Sequence, residues 1–283
     1  MTRDFRLVIR RRRISSRFLC LLSIASIILL APHKTPAQEK ELRIAAAADL
    51  KSAMDDLASQ YQRQSHTKLN ISYGSSGNFF SQIQNGAPFD LLFSADIDYP
   101  RKLETSGLAE QGTLYKYAVG RLVLWVSSDA KVDVAKQQWR ALLDARVQKI
   151  AIANPEHAPY GRAAVAALQK AGIYDRVRPK LVYGENISQA VQFVQSGNAQ
   201  AGILAKSLAV SPAMQGGKSW DIPADMHPPI EQAAIVLKNA KNKESARAFL
   251  QFVKSDASRA VLAKYGFAFP TRSNGSNVKE FRR

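Results

Sequence analysis

An acidic side chain and an imidazole stand next to each other at Glu156 and His157, in the segment NPEHAPYGRAA, and suggest acid–base catalysis. Adjacent side chains generally point in different directions, so a solvated loop explains this pair better than a catalytic dyad does. Asp90, Asp96 and Asp98 raise the same question around FDLLFSADID. Acids that end strands or cap helices explain these three residues more simply than catalysis does.

Other catalytic patterns are weak or missing. The segment GSSGN lacks the G-x-S-x-G order of a nucleophile elbow. The chain has neither a phosphate-binding G-x-x-x-x-G-K-[ST] loop nor an H-E-x-x-H zinc motif. His66, His157 and His227 are isolated from one another, which argues against a histidine metal site. A secreted hydrolase with Ser75 or Ser76 as nucleophile remains an alternative, although the sequence offers no clear base for it.

Turns that precede helices offer a different chemistry, the binding of an anion. Each of four such turns carries small or polar residues or a proline: Ala47–Leu50, Tyr73–Phe79, Ala158–Arg162 and Tyr183–Ser188. The first N–H groups of a helix have no partner within the helix and carry a partial positive charge, so they bind anions readily. Ordinary helix capping explains any one turn, whereas four together in a basic protein favour an anion site.

The second and third turns also have residue types that suit a ligand. Ser75 and Ser76 add hydroxyl donors, and their neighbours Gly74 and Gly77 allow a ligand to approach the backbone closely. In the third turn Pro159 fixes the backbone before the helix and Gly161 opens its first turn. These residues are therefore predicted to support the binding site.

Short apolar runs alternate with amphipathic segments and must position these turns. LRIAAA, KLNISY, DLLFSA, RLVLWVSS, KIAIA, PKLVYG and AGILA predict strands, and LKSAMDDLASQYQRQ, NFFSQIQNG, GRAAVAALQKAG, ISQAVQFVQSG and KESARAFLQFVKS predict helices. This order predicts an α/β fold with largely parallel sheets and helices on both faces. We expect two α/β lobes that exchange chain segments, with ligands bound beyond the carboxyl ends of the strands.

Residues 1–37 have the tripartite pattern of a secretory signal peptide. A strongly basic segment precedes the apolar run FLCLLSIASIILLA, and TPAQE offers a cleavage site after Ala37. The run is shorter than the about 20 residues that span a bilayer, which argues against a permanent anchor. Cys20 is the only cysteine and lies within this leader, so the mature chain is predicted to have no disulfide or thiolate metal site.

The net charge also points to an anionic partner. The 283-residue chain carries a formal charge of +17, and removal of residues 1–37, with eight basic and one acidic side chain, leaves +10. A basic surface raises the rate of encounter with anions. The mature sequence lacks the dense basic, aromatic-interleaved stretches of nucleic-acid-binding proteins, which argues against nucleic acid as a partner.

Several long segments resemble the periplasmic molybdate-binding proteins of ABC transporters. They are AAADLKSAM, SYGSSGNFFSQIQNGAPFDLLFSAD, ANPEHAPYGRAAVAALQKAG and KYGFAFP, and the resemblance extends over about residues 41 to 270. It implies a type II periplasmic binding-protein fold, with two lobes, a hinge of two crossovers and the ligand cleft between them. We expect lobe 1 at residues 38–122 and 231–283, and lobe 2 at residues 123–230.

The resemblance also implies the ligand contacts. The oxyanion-binding positions fall at Asp49 with Ala48 beside it, at Ser76 through its hydroxyl and N–H, and at the backbone N–H groups of Tyr160 and Ile187. Molybdate or tungstate is then held through its oxygen atoms, with no protein ligand on the metal and no cofactor. The implied partner is a membrane permease, and the protein is expected to be a periplasmic monomer rather than an enzyme.

Two positions depart from the family pattern. Many members have serine where this chain has Asp49, and we expect the Asp49 side chain to turn back and cap its own helix, which leaves only its N–H for the anion. Some members use a tyrosine hydroxyl at the position of Ala205, and alanine cannot supply that donor. Tyr160 is expected to compensate for this loss by shaping the pocket. A set of neutral donors disfavours protonated anions such as hydrogen phosphate. A receptor for sulfate or phosphate remains the nearest alternative, and an anion sensor ranks last.

Overall fold

A computed structural model describes residues 41–269, so the predicted signal peptide lies outside the described residues. The strands are β1 (Glu41–Ala47), β2 (Lys68–Gly74), β3 (Leu91–Ser94), β4 (Tyr115–Gly120), β5 (Leu122–Ser127), β6 (Ile150–Ala153), β7 (Leu181–Gly184), β8 (Ala201–Ala205), β9 (Gly217–Asp221) and β10 (Ile230–Val236). The α-helices are α1 (Lys51–Ser65), α2 (Ser76–Gln84), α3 (Asp98–Thr105), α4 (Val134–Gln137), α5 (Pro159–Lys170), α6 (Tyr174–Val177), α7 (Ile187–Gln195), α8 (Lys206–Ala209), α9 (Lys243–Val253) and α10 (Asp256–Lys264).

The strands form two five-stranded sheets of matching design. The first has the order β2-β1-β3-β10-β4 and the second the order β7-β6-β8-β5-β9. In each sheet two pairings are parallel and two are antiparallel. The prediction of largely parallel sheets was therefore wrong. The antiparallel pairings all involve β5 or β10, the strands that follow a passage of the chain from one sheet to the other.

The chain passes between the sheets twice. It leaves the first sheet after Gly120 and enters the second at Leu122, and it returns between Asp221 and Ile230. The first lobe, built on the β1 sheet, is therefore discontinuous in sequence, and the second lobe, built on the β5 sheet, is one continuous segment. These two passages are the two crossovers of a type II periplasmic binding-protein fold.

Helices cover both faces of the first sheet because β1 is apolar on both sides. Ile44 and Ala46 pack into a cluster with α1 and α9, which contribute Met54 and Phe249. Ala45, between them, faces the opposite side and packs with residues of α2 and α3. Side chains alternate across a strand, so an uninterrupted apolar run such as LRIAAA suits a strand that is buried on both faces.

The helices α2 and α7 begin at capping side chains. The Ser75 hydroxyl accepts a hydrogen bond from the N–H of Asn78 at 3.3 Å. The Asn186 side chain accepts from the N–H groups of Ser188 and Gln189 at 3.0 and 3.1 Å. Each cap uses N–H groups of the second or third helical position and leaves that of the first position unpaired. No helix within residues 41–269 is long and apolar enough to cross a membrane.

Candidate functional site

The predicted binding turns meet around one small cavity between the two sheets. Its lining comes from the ends of β1, β2, β3, β6 and β7 and from the helices that follow them, and consists of Ala47, Ala48, Asp49, Gly74, Ser75, Ser76, Ala95, Ala158, Pro159, Tyr160, Asn186 and Ile187. Eight of the ten residues singled out from the sequence lie on this lining, and the other two, Gly77 and Gly161, directly follow Ser76 and Tyr160. About 200 Å³ of space between atoms lies at this cavity, and part of that space is open to solvent.

The first lobe supplies a hydroxyl donor. Ser76, the first residue of α2, is buried, and its Oγ accepts a hydrogen bond from the N–H of Ala95 at 2.9 Å. With one lone pair occupied in this way, the hydroxyl proton is free to point into the cavity. The Ser75 hydroxyl instead caps α2, so the two adjacent serines have different tasks.

The second lobe supplies the starts of α5 and α7. Ala158 precedes α5 and has no capping side chain, and Pro159 occupies the first helical turn. Ile187 is the first residue of α7. Among the described residues, the N–H groups of Ser76, Tyr160 and Ile187 donate to no loop, turn or side-chain acceptor. All three belong to residues on the cavity lining, where an anion would find N–H donors that these loop, turn and side-chain acceptors do not already occupy.

Two glycines make this arrangement possible. A Cβ at Gly161 would lie 2.2 Å from the carbonyl oxygen of Ala153, so only glycine lets α5 begin this close to β6. A Cβ at Gly77 would lie 2.6 Å from the carbonyl oxygen of His157 in the other lobe. The backbone that Gly77 leaves room for belongs to the other lobe, and within its own lobe the nearest atom to such a Cβ is the hydroxyl oxygen at the end of the Tyr99 side chain, 2.9 Å away.

The Asp49 side chain does not make the contact that was predicted for it. Its side chain makes no hydrogen bond that caps the helical turn at Ala48–Leu50. Oδ2 instead accepts from the Tyr160 hydroxyl at 2.9 Å and from Nε2 of Gln232, while Oδ1 has no hydrogen-bond partner. The capping prediction was wrong because two donors from neighbouring elements, one in each lobe, reach the carboxylate.

Burial dominates the electrostatics of Asp49. The residue is 1% exposed, and the loss of water raises the pKa of its carboxyl group to about 6. The hydrogen bonds from Gln232 and Tyr160 lower the pKa, and the nearby backbone N–H groups of Asp49 and Leu50 lower it less. The raised value shows that neutral donors offset only part of the cost of a buried carboxylate.

Contacts between the lobes surround the cavity. The N–H of Gly77 donates to the carbonyl of His157 at 3.0 Å, and the Ser188 hydroxyl donates to the carbonyl of Ala48 at 3.1 Å. The Ser207 hydroxyl donates to the carbonyl of Asp49 at 2.7 Å. The structure is therefore a closed form, in which each lobe completes the hydrogen bonds of the other.

An ion pair joins the lobes at the rim of the cleft. Arg162 of α5 lies 2.6 Å from a carboxylate oxygen of Asp96, and its guanidinium also contacts the Tyr99 hydroxyl at 3.4 Å. On another part of the rim, Nδ2 of Asn78 donates to the carboxylate of Glu185. Sequence reasoning missed these contacts, and no motif could have revealed them because the partners lie far apart in the chain.

The residues that suggested catalysis are engaged in hydrogen bonds that stabilise loops, turns and helix starts. The N–H of exposed Glu156 donates to Asn154, and the ring of His157 contacts Glu185 through its carbonyl at 2.8 Å and its carboxylate at 3.2 Å. Asp90 accepts from the N–H groups of Arg43 and Lys241, both at 2.7 Å. Asp98 lies in the first turn of α3 and accepts from Arg101. No metal-binding cluster of histidine, cysteine and acidic residues occurs in the described part of the chain.

The structure shows what stands at Ala205, the position of the missing tyrosine. Ala205 ends β8 and is fully buried, so it adds no polar group to the cavity. The hydroxyl of Tyr160 points to Asp49 rather than remaining available as a donor to a ligand. Tyr160 is buried on the cavity lining with its hydroxyl bonded to Asp49, so compensation for the missing tyrosine hydroxyl stays a prediction.

Known proteins share this fold and chain length. The bacterial extracellular solute-binding protein family matches residues 42–268. The molybdate-binding protein ModA of Azotobacter vinelandii is 40% identical over 82% of this chain and 91% of its own, and that of Rhodobacter capsulatus is 38% identical over 82% and 90%. The solved structure of the Azotobacter vinelandii periplasmic molybdate-binding protein aligns with a TM-score of 0.76 at 33% identity, over 81% of this chain and 99% of that one.

These matches cover both lobes and exclude the enzymatic interpretations. Proteins of this class bind solutes for transporters and carry no catalytic cofactor. The hydrolase and sensor alternatives therefore fail. The chain belongs to the ModA family of bacterial extracellular solute-binding proteins.

Proposed function

We propose that this protein captures molybdate in the cavity between its lobes and delivers it to the membrane permease of an ABC transporter. The observation that carries the proposal is the convergence of unpaired donors from both lobes. The Ser76 hydroxyl and the N–H groups of Ser76, Tyr160 and Ile187 belong to one lining that contains no lysine or arginine. The 40%-identical molybdate-binding relative supports the choice of molybdate among oxyanions.

The donor set accounts for binding without a formal counter-charge. Helix N-termini supply partial positive charge, and rigid N–H groups pay little reorganisation on binding. We propose that Ala48 and Asp49 add their backbone to these donors, with Gly74, Ser75, Gly77, Pro159 and Gly161 as supporting residues. The contacts reach only oxygen atoms, so the metal has no direct protein ligand. Tungstate, as a tetrahedral dianion of nearly the same size, is proposed to bind alike.

The proposed organisation follows the sequence. Residues 1–37 are a signal peptide that directs the protein to the periplasm, where it acts as a monomer. Lobe 1 comprises residues 38–122 and 231–283, and lobe 2 residues 123–230. The passages of the chain near Gly120 and between Asp221 and Ile230 support these limits. Closure of the lobes around the anion would form the surface that the permease recognises.

Calorimetric titration of the mature protein tests the proposal. Molybdate and tungstate should bind with one site and much higher affinity than sulfate or phosphate. Sulfate binding as tight as molybdate binding would contradict the assignment. The Ser76→Ala variant should bind molybdate more weakly, and the Gly216→Ala variant should bind like the parent protein because Gly216 lies in open space.

A further inference from the structure

Asp49 presents a problem that the proposed function does not solve. A dianion and a carboxylate would lie on the same small cavity, and like charges at close range repel strongly in a site without water. Burial alone already disfavours the ionised carboxylate, since Asp49 is 1% exposed. Within residues 41–269 the side-chain hydrogen bonds to Asp49 come from the neutral groups of Tyr160 and Gln232, so they bring no opposite charge to offset this cost.

In the described part of the chain, the groups that hydrogen-bond to Asp49 are all neutral. The nearest titratable groups are the hydroxyls of Tyr160 on α5 and Tyr117 on β4, whose pKa values are raised well above the usual range, first of all by burial. Cations on the elements around Asp49 are engaged elsewhere. Lys51 pairs with Asp55, Lys206 with Asp221, Lys116 with Glu231 and Arg162 with Asp96.

The hydrogen-bond directions fix where a proton can bind. The Tyr117 hydroxyl donates to Oε1 of Gln232 at 2.7 Å, which turns Nε2 of Gln232 toward Asp49. The Tyr160 hydroxyl donates to the same carboxylate oxygen, Oδ2, at 2.9 Å. Oδ2 thus accepts two hydrogen bonds, and Oδ1 is buried without any partner. A proton therefore belongs on Oδ1.

The close packing at the crossover keeps this arrangement in place. A Cβ at Gly120 would lie 2.2 Å from the Tyr160 hydroxyl and 2.9 Å from Nε2 of Gln232. The absence of a side chain at the hinge lets Tyr160 reach across from the second lobe to Asp49. Since Tyr160 belongs to the other lobe, the full burial of Asp49 is a property of the closed form.

We propose that Asp49 takes up one proton from solvent, on Oδ1, when the lobes close around the oxyanion, so that the side chain beside the bound dianion is a neutral carboxylic acid. The inference rests on the proposed function. Binding then consumes one molybdate ion and one proton. The proton also completes a donor-only environment, because an ionised Oδ1 would be a free acceptor for the proton of hydrogen phosphate. Asp49 is thereby a specificity-determining residue.

Calorimetry in buffers with different ionisation enthalpies measures this proton directly. At about pH 7.5 the parent protein should take up close to one proton per molybdate, and its Kd should rise toward tenfold per pH unit above that value. The Asp49→Asn variant should bind with little proton uptake and with nearly constant Kd. The Asp55→Asn variant, which alters an exposed acid on the following helix, should behave like the parent protein.

Two further measurements separate the possible outcomes. A difference infrared spectrum of the parent protein should gain a carboxylic-acid carbonyl band on binding, which requires no variant. The His157→Gln variant should keep the proton uptake, since the His157 ring contacts Glu185 at the rim and makes no bond to Asp49. Molybdate binding without proton uptake, or uptake that survives Asp49→Asn, overturns the inference. Failure of the parent protein to bind molybdate at all instead overturns the proposed function.

Discussion

Replacement of Gly77 by alanine should weaken ligand binding without weakening the fold. Gly77 is the second residue of α2 in the first lobe, and its N–H donates to the carbonyl of His157 in the second lobe at 3.0 Å. A Cβ at this position would lie 2.6 Å from that carbonyl oxygen and 3.0 Å from the Cα of His157. These two are backbone atoms, which cannot rotate away, whereas the Tyr99 hydroxyl of the first lobe, 2.9 Å from the same Cβ, is the end of a side chain that can.

The magnitude follows from this geometry. The lobes must separate by roughly 0.4 Å or more at this point before the new methyl group fits, and overpacking of this kind costs about 1–3 kcal/mol. The cost falls on closure, so molybdate should bind about 5- to 150-fold more weakly. Within α2 the same substitution should be neutral or favourable, since alanine stabilises a helix by about 0.5–1 kcal/mol relative to glycine.

Two measurements on one variant test this reasoning. Calorimetry should show the weaker binding, while thermal unfolding of the ligand-free protein should occur at the same or a higher temperature than in the parent protein. Gly216→Ala is the matched control, because a Cβ there meets no atom within 4 Å. Unchanged affinity in Gly77→Ala would refute the reasoning, and so would a loss of unfolding free energy as large as the loss of binding free energy.

Three other variants test separate parts of the site. Ser76→Ala removes a hydroxyl donor to a charged ligand and should weaken molybdate binding about 10- to 150-fold in calorimetry, and an unchanged Kd would exclude this hydroxyl from the site. Arg162→Met breaks an ion pair at the rim whose members are both partly exposed, so molybdate affinity should fall by less than about fivefold. Stopped-flow experiments should show this loss mainly as faster release of molybdate, and a larger loss of affinity would indicate that Arg162 contacts the anion itself. Asp49→Asn removes a carboxyl group whose pKa is about 6 in the folded protein and 3.8 as its ordinary value, which represents the unfolded chain. Between these two pH values the folded parent protein binds more protons than the unfolded chain does. The free energy of unfolding of the parent protein therefore falls as pH rises through this window, by up to about 3 kcal/mol. Denaturation of both proteins near pH 4 and pH 8 should show the stability of the parent protein fall by this amount relative to that of the variant, and parallel curves would contradict it.

The sequence indicated the strands and helices that carry the binding turns because their signals are local. The apolar run KIAIA, which contains β6, and the helix caps Ser75 and Asn186 can be recognised without any information about distant residues. The strands β4, β9 and β10 escaped prediction. In GKSWD the side chains of β9 are mostly exposed or half-buried, and this edge strand lacks the apolar run that identifies a buried one.

The binding turns were predictable, whereas the contacts behind them were not. Donors at helix starts follow from local geometry, and the cavity lining contains eight of the ten residues expected there. The environment of Asp49 depends on Gln232 and Tyr160, which lie more than 100 positions away in sequence. Capping of its own helix was the reasonable local expectation, and distant donors outcompeted it.

A single calorimetric competition tests the central claim most directly. The mature protein is titrated with molybdate alone and then in the presence of excess sulfate or phosphate, with tungstate as a second ligand. We expect one molybdate per chain, displacement by tungstate, and no displacement by sulfate or phosphate. Absence of molybdate binding, or displacement by sulfate at comparable concentration, would contradict the proposal that this cavity is a molybdate site.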